Sequence, residues 1–117
     1  METKETGHRP WGCYEVLKDE PCCKVKKITV YPCQRLSLQR HQRRSEHWFV
    51  VQGVATVARD NEILQVPAGR AVDIPRGVKH RAANTGSAED VVFIEIQTGE
   101  YFGEDDIERF EDDYGRA

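Results

Sequence analysis

Two histidines, a glutamate and a glutamine stand at spacings that suit a metal. Alternate side chains of a strand share one face. In Leu36–His41, Ser37, Gln39 and His41 therefore point one way, and Leu36 and Leu38 the other. After a short turn holding Arg43 and Arg44, the residues Glu46, Trp48 and Val50 share a face, with His47, Phe49 and Val51 opposite. A hairpin of this kind brings Gln39, His41 and Glu46 together inside a barrel. Much later, Pro75-Arg76-Gly77-Val78-Lys79-His80 delivers a second histidine straight after a tight turn. Two neutral imidazoles, a carboxylate and an amide oxygen make a mixed N/O ligand set for a divalent ion, with positions left for water or substrate. His47 faces away by parity and is read as a packing residue or as a partner that orients a ligand, Trp48 as core.

The charge pattern narrows the ligand. Net charge is −3 and the pI about 5.8, so no net basic face exists for nucleic acid. Lysine and arginine cluster locally at Lys24, Lys26 and Lys27, at Arg40, Arg43 and Arg44, and at Arg76, Lys79 and Arg81, while acids gather from Glu100 to Asp113. Cationic clusters in an acidic chain suit a small anion such as a phosphate ester. Cys13, Cys22, Cys23 and Cys33 include no CxxC pair, and inert reduced thiols are expected. The longest apolar stretch, around Trp48–Val51, is far below the roughly 20 residues of a membrane span. With no apolar core in the first residues, a cytoplasmic protein is expected.

The elements that must position these groups are strands. At 117 residues, one domain with one core is expected. Eight β-branched or aromatic runs recur: Lys24–Val30, Arg35–His41, Glu46–Val51, Ala55–Ala58, Glu62–Val66, Ala71–Ile74, His80–Asn84 and Val91–Gln97. Turn residues separate them, among them Gly53, Asp60-Asn61 and Pro67-Ala68-Gly69. The pattern predicts a single all-β sandwich or barrel. The core barrel is expected over about 24–98, behind an N-terminal arm at 1–23 whose Arg9-Pro10-Trp11-Gly12 docks on it. The segment 99–117 is expected to end in a short helix from Gly103, with acids in its first turn and Ile107 and Phe110 on one edge.

At this point the residues resemble a known family. Gln39-x-His41-x4-Glu46-x6-Gly53 is similar to the first cupin motif, with Cys33 where its opening glycine usually stands. Gly69-x5-Pro75-x-Gly77-x2-His80-x3-Asn84 fits the second. Gln39–Trp48 resembles the Gln-x-His-x-His-Arg-x-Glu-His-Trp stretch of type II phosphomannose isomerases. Arg9–Gly12 resembles their domain-opening motif, Lys24–Val30 their first barrel strand, and Tyr101–Arg116 their C-terminal signature. In many relatives this domain follows a mannose-1-phosphate guanylyltransferase, so nucleotide-sugar synthesis is not expected of these residues.

The resemblance implies a cupin double-stranded β-helix, or jelly-roll barrel, that interconverts mannose 6-phosphate and fructose 6-phosphate. It implies Gln39, His41, Glu46 and His80 as ligands of one divalent metal, zinc first, with cobalt, manganese, nickel or iron as alternatives. Arg44 takes the place of the arginine tied to isomerase activity, and Arg43 replaces the second histidine of His-x-His. Arg9, Lys26, Arg43 and Arg76 are candidate substrate-binding cations. The base is open between Glu46, metal-bound water and Lys79. A homodimer is expected, with a small phosphorylated sugar as ligand and neither nucleic acid nor membrane as partner. Two other readings stay open: a non-catalytic cupin that binds a sugar phosphate or nucleotide sugar beside a separate transferase, and a metal-dependent oxygenase.

Overall fold

The computed structural model describes residues 5–115; the last residue of the C-terminal signature, Arg116, lies outside them. The chain forms two antiparallel sheets. Thr6–Arg9 (β1), Gly12–Asp19 (β2), Cys23–Val30 (β3), Arg44–Gln52 (β5), Ala71–Ile74 (β8) and Val91–Gly99 (β10) make the first, in the order β1-β2-β3-β10-β5-β8. Leu38–Arg40 (β4), Val54–Arg59 (β6), Glu62–Pro67 (β7), His80–Ala83 (β9) and Glu108–Glu111 (β11) make the second, in the order β11-β4-β9-β6-β7. The inner faces enclose one core of Trp11, Ile28, Val30, Trp48, Val50, Val57, Ile74, Val91 and Phe93.

All eight expected runs lie where strands form, because alternation on a half-buried sheet is a strong signal. The largest shortfall is Arg35–His41. There the ladder covers only Leu38–Arg40, with Arg35 making an isolated bridge to Ala83. The N-terminal segment also forms strands: β1 and β2 extend the first sheet beyond β3. Trp11, in the β1–β2 turn, is only 6% exposed. Cys33, at the position of the motif's usual glycine, takes φ 64°, the left-handed region that glycine tolerates best.

The expected C-terminal helix is absent among the described residues. Glu104 and Asp106 instead bind the barrel, and Glu108–Glu111 pairs antiparallel with β4, Glu108 opposite Arg40 and Arg109 opposite Gln39. A single short run of about ten residues is marginal as a helix in water. Tertiary hydrogen bonds and ion pairs, including Arg40 Nε to Glu108 Oε1 at 2.9 Å, override its local preference. As a strand, the segment turns Phe110 outward beneath Arg40 and Lys79.

Candidate metal and substrate site

Strand parity builds the site. From β5, Arg44, Glu46, Trp48 and Val50 point inward; from β10, Val91, Phe93, Glu95 and Gln97 do; from β3, Lys26, Ile28 and Val30. His41 follows β4 directly and His80 opens β9. The turn that delivers His80 is pinned at two points. Gly77 N donates to the His41 carbonyl at 2.8 Å, and Asp60 N to the Lys79 carbonyl at 2.8 Å.

His41, Glu46 and His80 form a cluster whose ligand atoms lie within 4.8 Å of one another, all buried. His41 Nε2 is 3.3 Å from Glu46 Oε2, and His80 Nε2 is 3.9 Å from Glu46 Oε1. On the far side of each ring, His41 Nδ1 lies 2.7 Å from the Asp106 carbonyl and His80 Nδ1 2.9 Å from that of Val78. A carbonyl oxygen can only accept, so each Nδ1 carries the hydrogen and each neutral ring turns an Nε2 lone pair inward. Burial, reinforced by Arg44, lowers the His41 pKa to about 4, and burial lowers that of His80. Neutral imidazoles and a carboxylate are the donor set a borderline divalent ion requires, so the residues fit a metal. Gln39 sits directly across from His80 in the β4–β9 pairing, and its Nε2 donates to Ser37 Oγ at 3.1 Å.

Arg44 closes the cluster. Its Nε donates to Glu46 Oε2 at 2.8 Å and its Nη2 to His41 Nε2 at 3.2 Å, while Trp48 Nε1 donates to Glu46 Oε1 at 2.9 Å. The guanidinium thus engages the same atoms a metal would, and it divides the triad from a pocket. That pocket of about 90 Å³ is lined by Arg9, Trp11, Lys26, Gln39, Arg44 and Glu95, among others.

Glu95 and Gln97 escaped the sequence reading. Glu95 stands opposite Lys26 on β3 and Trp48 on β5, and Gln97 opposite Glu46. Gln97 Nε2 donates to Glu95 Oε2 at 3.1 Å. Burial, followed by the neighbouring Glu46 carboxylate, pushes the Glu95 pKa up to about 8, so the group is protonated at neutral pH. The signal was available. In Val91-Val-Phe-Ile-Glu-Ile-Gln97, both polar residues share the inward parity of Val91 and Phe93 in a central strand, and buried carboxyls at such places are functional candidates.

Asp106 also escaped it. Its carboxylate accepts from the Gln42 and Arg43 amides at 3.1 and 3.0 Å, while its carbonyl holds His41. No local pattern reveals a partner more than sixty residues away.

The other expected residues are spread unequally. Lys26 is buried and bonded to Glu104 at 2.7 Å. Arg9 is exposed, lines the pocket and sits over the Tyr14 ring. Arg43 is exposed over Tyr101, and Arg76 is exposed beside Glu100; neither lines the pocket among the described residues. Lys79 faces outward onto Phe110, 4.1 Å from its ring centroid, because parity beside the inward His80 sends it away; the structure does not bring it to the triad. His47 points outward to Asp73 at 2.6 Å, as parity required. Asn84 is structural: it donates to the Val30 and Glu89 carbonyls and accepts from Gly86.

The family profile described as Mannose-6-phosphate isomerase C-terminal matches residues 1–112. Xanthan biosynthesis protein XanB of Xanthomonas campestris is 49% identical over 110 residues, 94% of this chain and 23% of that protein. Alginate biosynthesis protein AlgA of Pseudomonas aeruginosa is 47% identical, again over 94% of this chain and 23% of its own length. The chain therefore spans about a quarter of these relatives. A Klebsiella pneumoniae protein with a double-stranded β-helix domain superposes with a TM-score of 0.72 at 22% identity, covering 82% of this chain and 76% of its own. The fold is thus the cupin double-stranded β-helix, and the chain belongs to the mannose-6-phosphate isomerase C-terminal family.

Proposed function

We propose that this chain is a metal-dependent aldose–ketose isomerase that interconverts mannose 6-phosphate and fructose 6-phosphate in the cytoplasm. One observation carries the reading: two imidazole Nε2 atoms, each fixed by a backbone carbonyl behind it, converge on Glu46, and Arg44, bonded to Glu46 and His41, also lines the neighbouring cation-lined pocket. His41, His80 and Glu46 would hold the ion, with Gln39 completing the set and zinc the first candidate. A bound divalent ion supplies Lewis acidity, polarising the sugar carbonyl.

The chain's own groups account for the rest. Isomerisation of the aldose moves the C2 proton to C1 and the O2 proton to O1, with no net redox change. Glu95, whose carboxyl faces the pocket, is the group placed to carry a proton, and Lys79 is not. The Nε–Nη2 edge of Arg44, against Glu46 and His41, is the part of that cation placed to meet negative charge on the enediolate; a preorganised donor of this type is worth about 3 kcal/mol in the transition state. Trp11, Ile28 and Phe93 form the apolar wall that keeps water from the intermediate. Lys26 and Arg9 are the phosphate anchors.

A coupled assay for fructose 6-phosphate tests the reading, run on chelated protein before and after zinc, cobalt or manganese is restored. Turnover that appears only with metal is expected. Tight mannose 6-phosphate binding without turnover under any metal would replace the isomerase with a non-catalytic sugar-phosphate binder.

A further inference from the structure

One carboxylate outside the triad stands where a ligand's charge belongs. Glu104 leaves the barrel wall after Gly99 and reaches back over the pocket. Its Oε1 accepts from Lys26 Nζ at 2.7 Å and lies 3.9 Å from Arg44 Nη1. The two cations are buried, at 8% and 4% side-chain exposure, whereas Glu104 is 58% exposed. At 3.9 Å the second contact is too long for a hydrogen bond. Among the described residues, Arg44 Nη1 and Arg109 Nε are buried polar atoms with no hydrogen-bond partner, and both side chains line this pocket with Arg9. A single carboxylate leaves this cationic ring under-satisfied, whereas a phosphate has three terminal oxygens to offer. The pocket is also too small as it stands: about 90 Å³, against roughly 300–1,000 Å³ for small-ligand sites.

We infer that Glu104 occupies the seat of the ligand's phosphate, and that Tyr101–Asp105 is a strap that lifts when a phosphomonoester settles between Lys26 and Arg44. The phosphosugar identity rests on the isomerase reading; the anion seat rests on the cations. The strap has defined ends. Gly99, at φ 148°, is where a Cβ would lie 2.4 Å from the Arg43 carbonyl, and Asp106 is tied to the Gln42 and Arg43 amides. Between them the segment is held by few bonds, chiefly Tyr101 to Asp105 and Glu104 to Lys26. Arg109, absent from the candidates read in the sequence, joins the phosphate-binding group, and Arg43 and Arg76, which do not line the pocket, leave it.

Calorimetric titration of inorganic phosphate, mannose 6-phosphate and mannose into the metal-free chain tests this. Glu104→Gln removes the competing charge at an exposed, isosteric position, and phosphate should bind it about tenfold tighter than the parent. Lys26→Met should bind phosphate at least about tenfold more weakly, with mannose affinity unchanged in both. Equal or weaker phosphate binding by Glu104→Gln, or no phosphate binding by any form, overturns the inference. The expected phosphate pattern in a chain that never turns over mannose 6-phosphate keeps the inference and removes the isomerase reading. Turnover, with parent and Glu104→Gln binding phosphate alike, does the reverse.

Discussion

Each imidazole of the triad spends its Nδ1 hydrogen on a backbone carbonyl, and that bond is what makes Nε2 a donor toward a metal. His80→Ala should therefore abolish tight metal binding, which metal analysis after dialysis will show. Retained full occupancy would displace His80 from the ligand set. Glu95 differs from these ligands, since it touches Glu46 and also lines the pocket beside Arg44. Glu95→Gln keeps the shape and the contact with Gln97. It should keep metal content near that of the parent while kcat falls by about 10²- to 10⁴-fold, the usual worth of a positioned acid–base group; an unchanged kcat would return the proton transfer to Glu46 or water. These carboxyl and imidazole roles differ in how far the sequence revealed them. His41, Glu46 and His80 are legible because motif spacing and strand parity agree. Glu95 is legible in principle, as a charged residue on the buried parity of an otherwise apolar strand. Asp106 and Glu104 are not, because their meaning lies in partners that only the closed barrel brings near.

The elements are held in register by a few positions that a single atom can upset. Cys33 adopts φ 64°, a conformation that costs a non-glycine residue roughly 1–2 kcal/mol. Cys33→Gly should thus raise unfolding free energy by about 1 kcal/mol, after glycine's larger unfolded-state entropy is set against the relief; urea denaturation measures it, and a loss of stability would contradict the strain. Gly12 is the opposite case. A Cβ there would lie 1.9 Å from the Thr29 carbonyl across the β2–β3 pairing, so Gly12→Ala should cost about 2 kcal/mol and lower Tm. The strand runs were readable because alternation survives in any half-buried sheet. The C-terminal helix misled because acids near a glycine look the same whether they cap a helix or reach for Lys26 and the 42–43 amides. Local preference for so short a run is weak beside those contacts.

At the scale of the molecule, the C-terminal segment is a belt that joins the two sheets and covers the pocket. Its carboxylates make it sensitive to acid. Arg35, bonded to Asp113 at 2.7 Å, holds that carboxyl below its usual range. Burial pushes the Glu104 carboxyl up, but Lys26 and Arg44 outweigh it and leave the pKa lowered. For groups depressed in the folded chain, the stabilisation is present above the unfolded pKa and is lost as pH falls through the folded one. The belt should therefore loosen below the ordinary carboxylate range, about pH 4. Hydrogen exchange at β11 should accelerate there before exchange at β10, and simultaneous loss would contradict a separately held belt. The barrel thus holds both the proposed metal ligands and the cations Lys26 and Arg44, while the C-terminal cover supplies the Glu104 carboxylate that sits among those cations. That division of labour only has meaning if the triad's metal drives chemistry in this chain. The most direct measurement is the initial rate of mannose 6-phosphate conversion as metal is titrated into the chelated protein. The account predicts a rate that rises linearly to one equivalent of ion per chain and then levels. A rate independent of metal, or none at full occupancy, would contradict it.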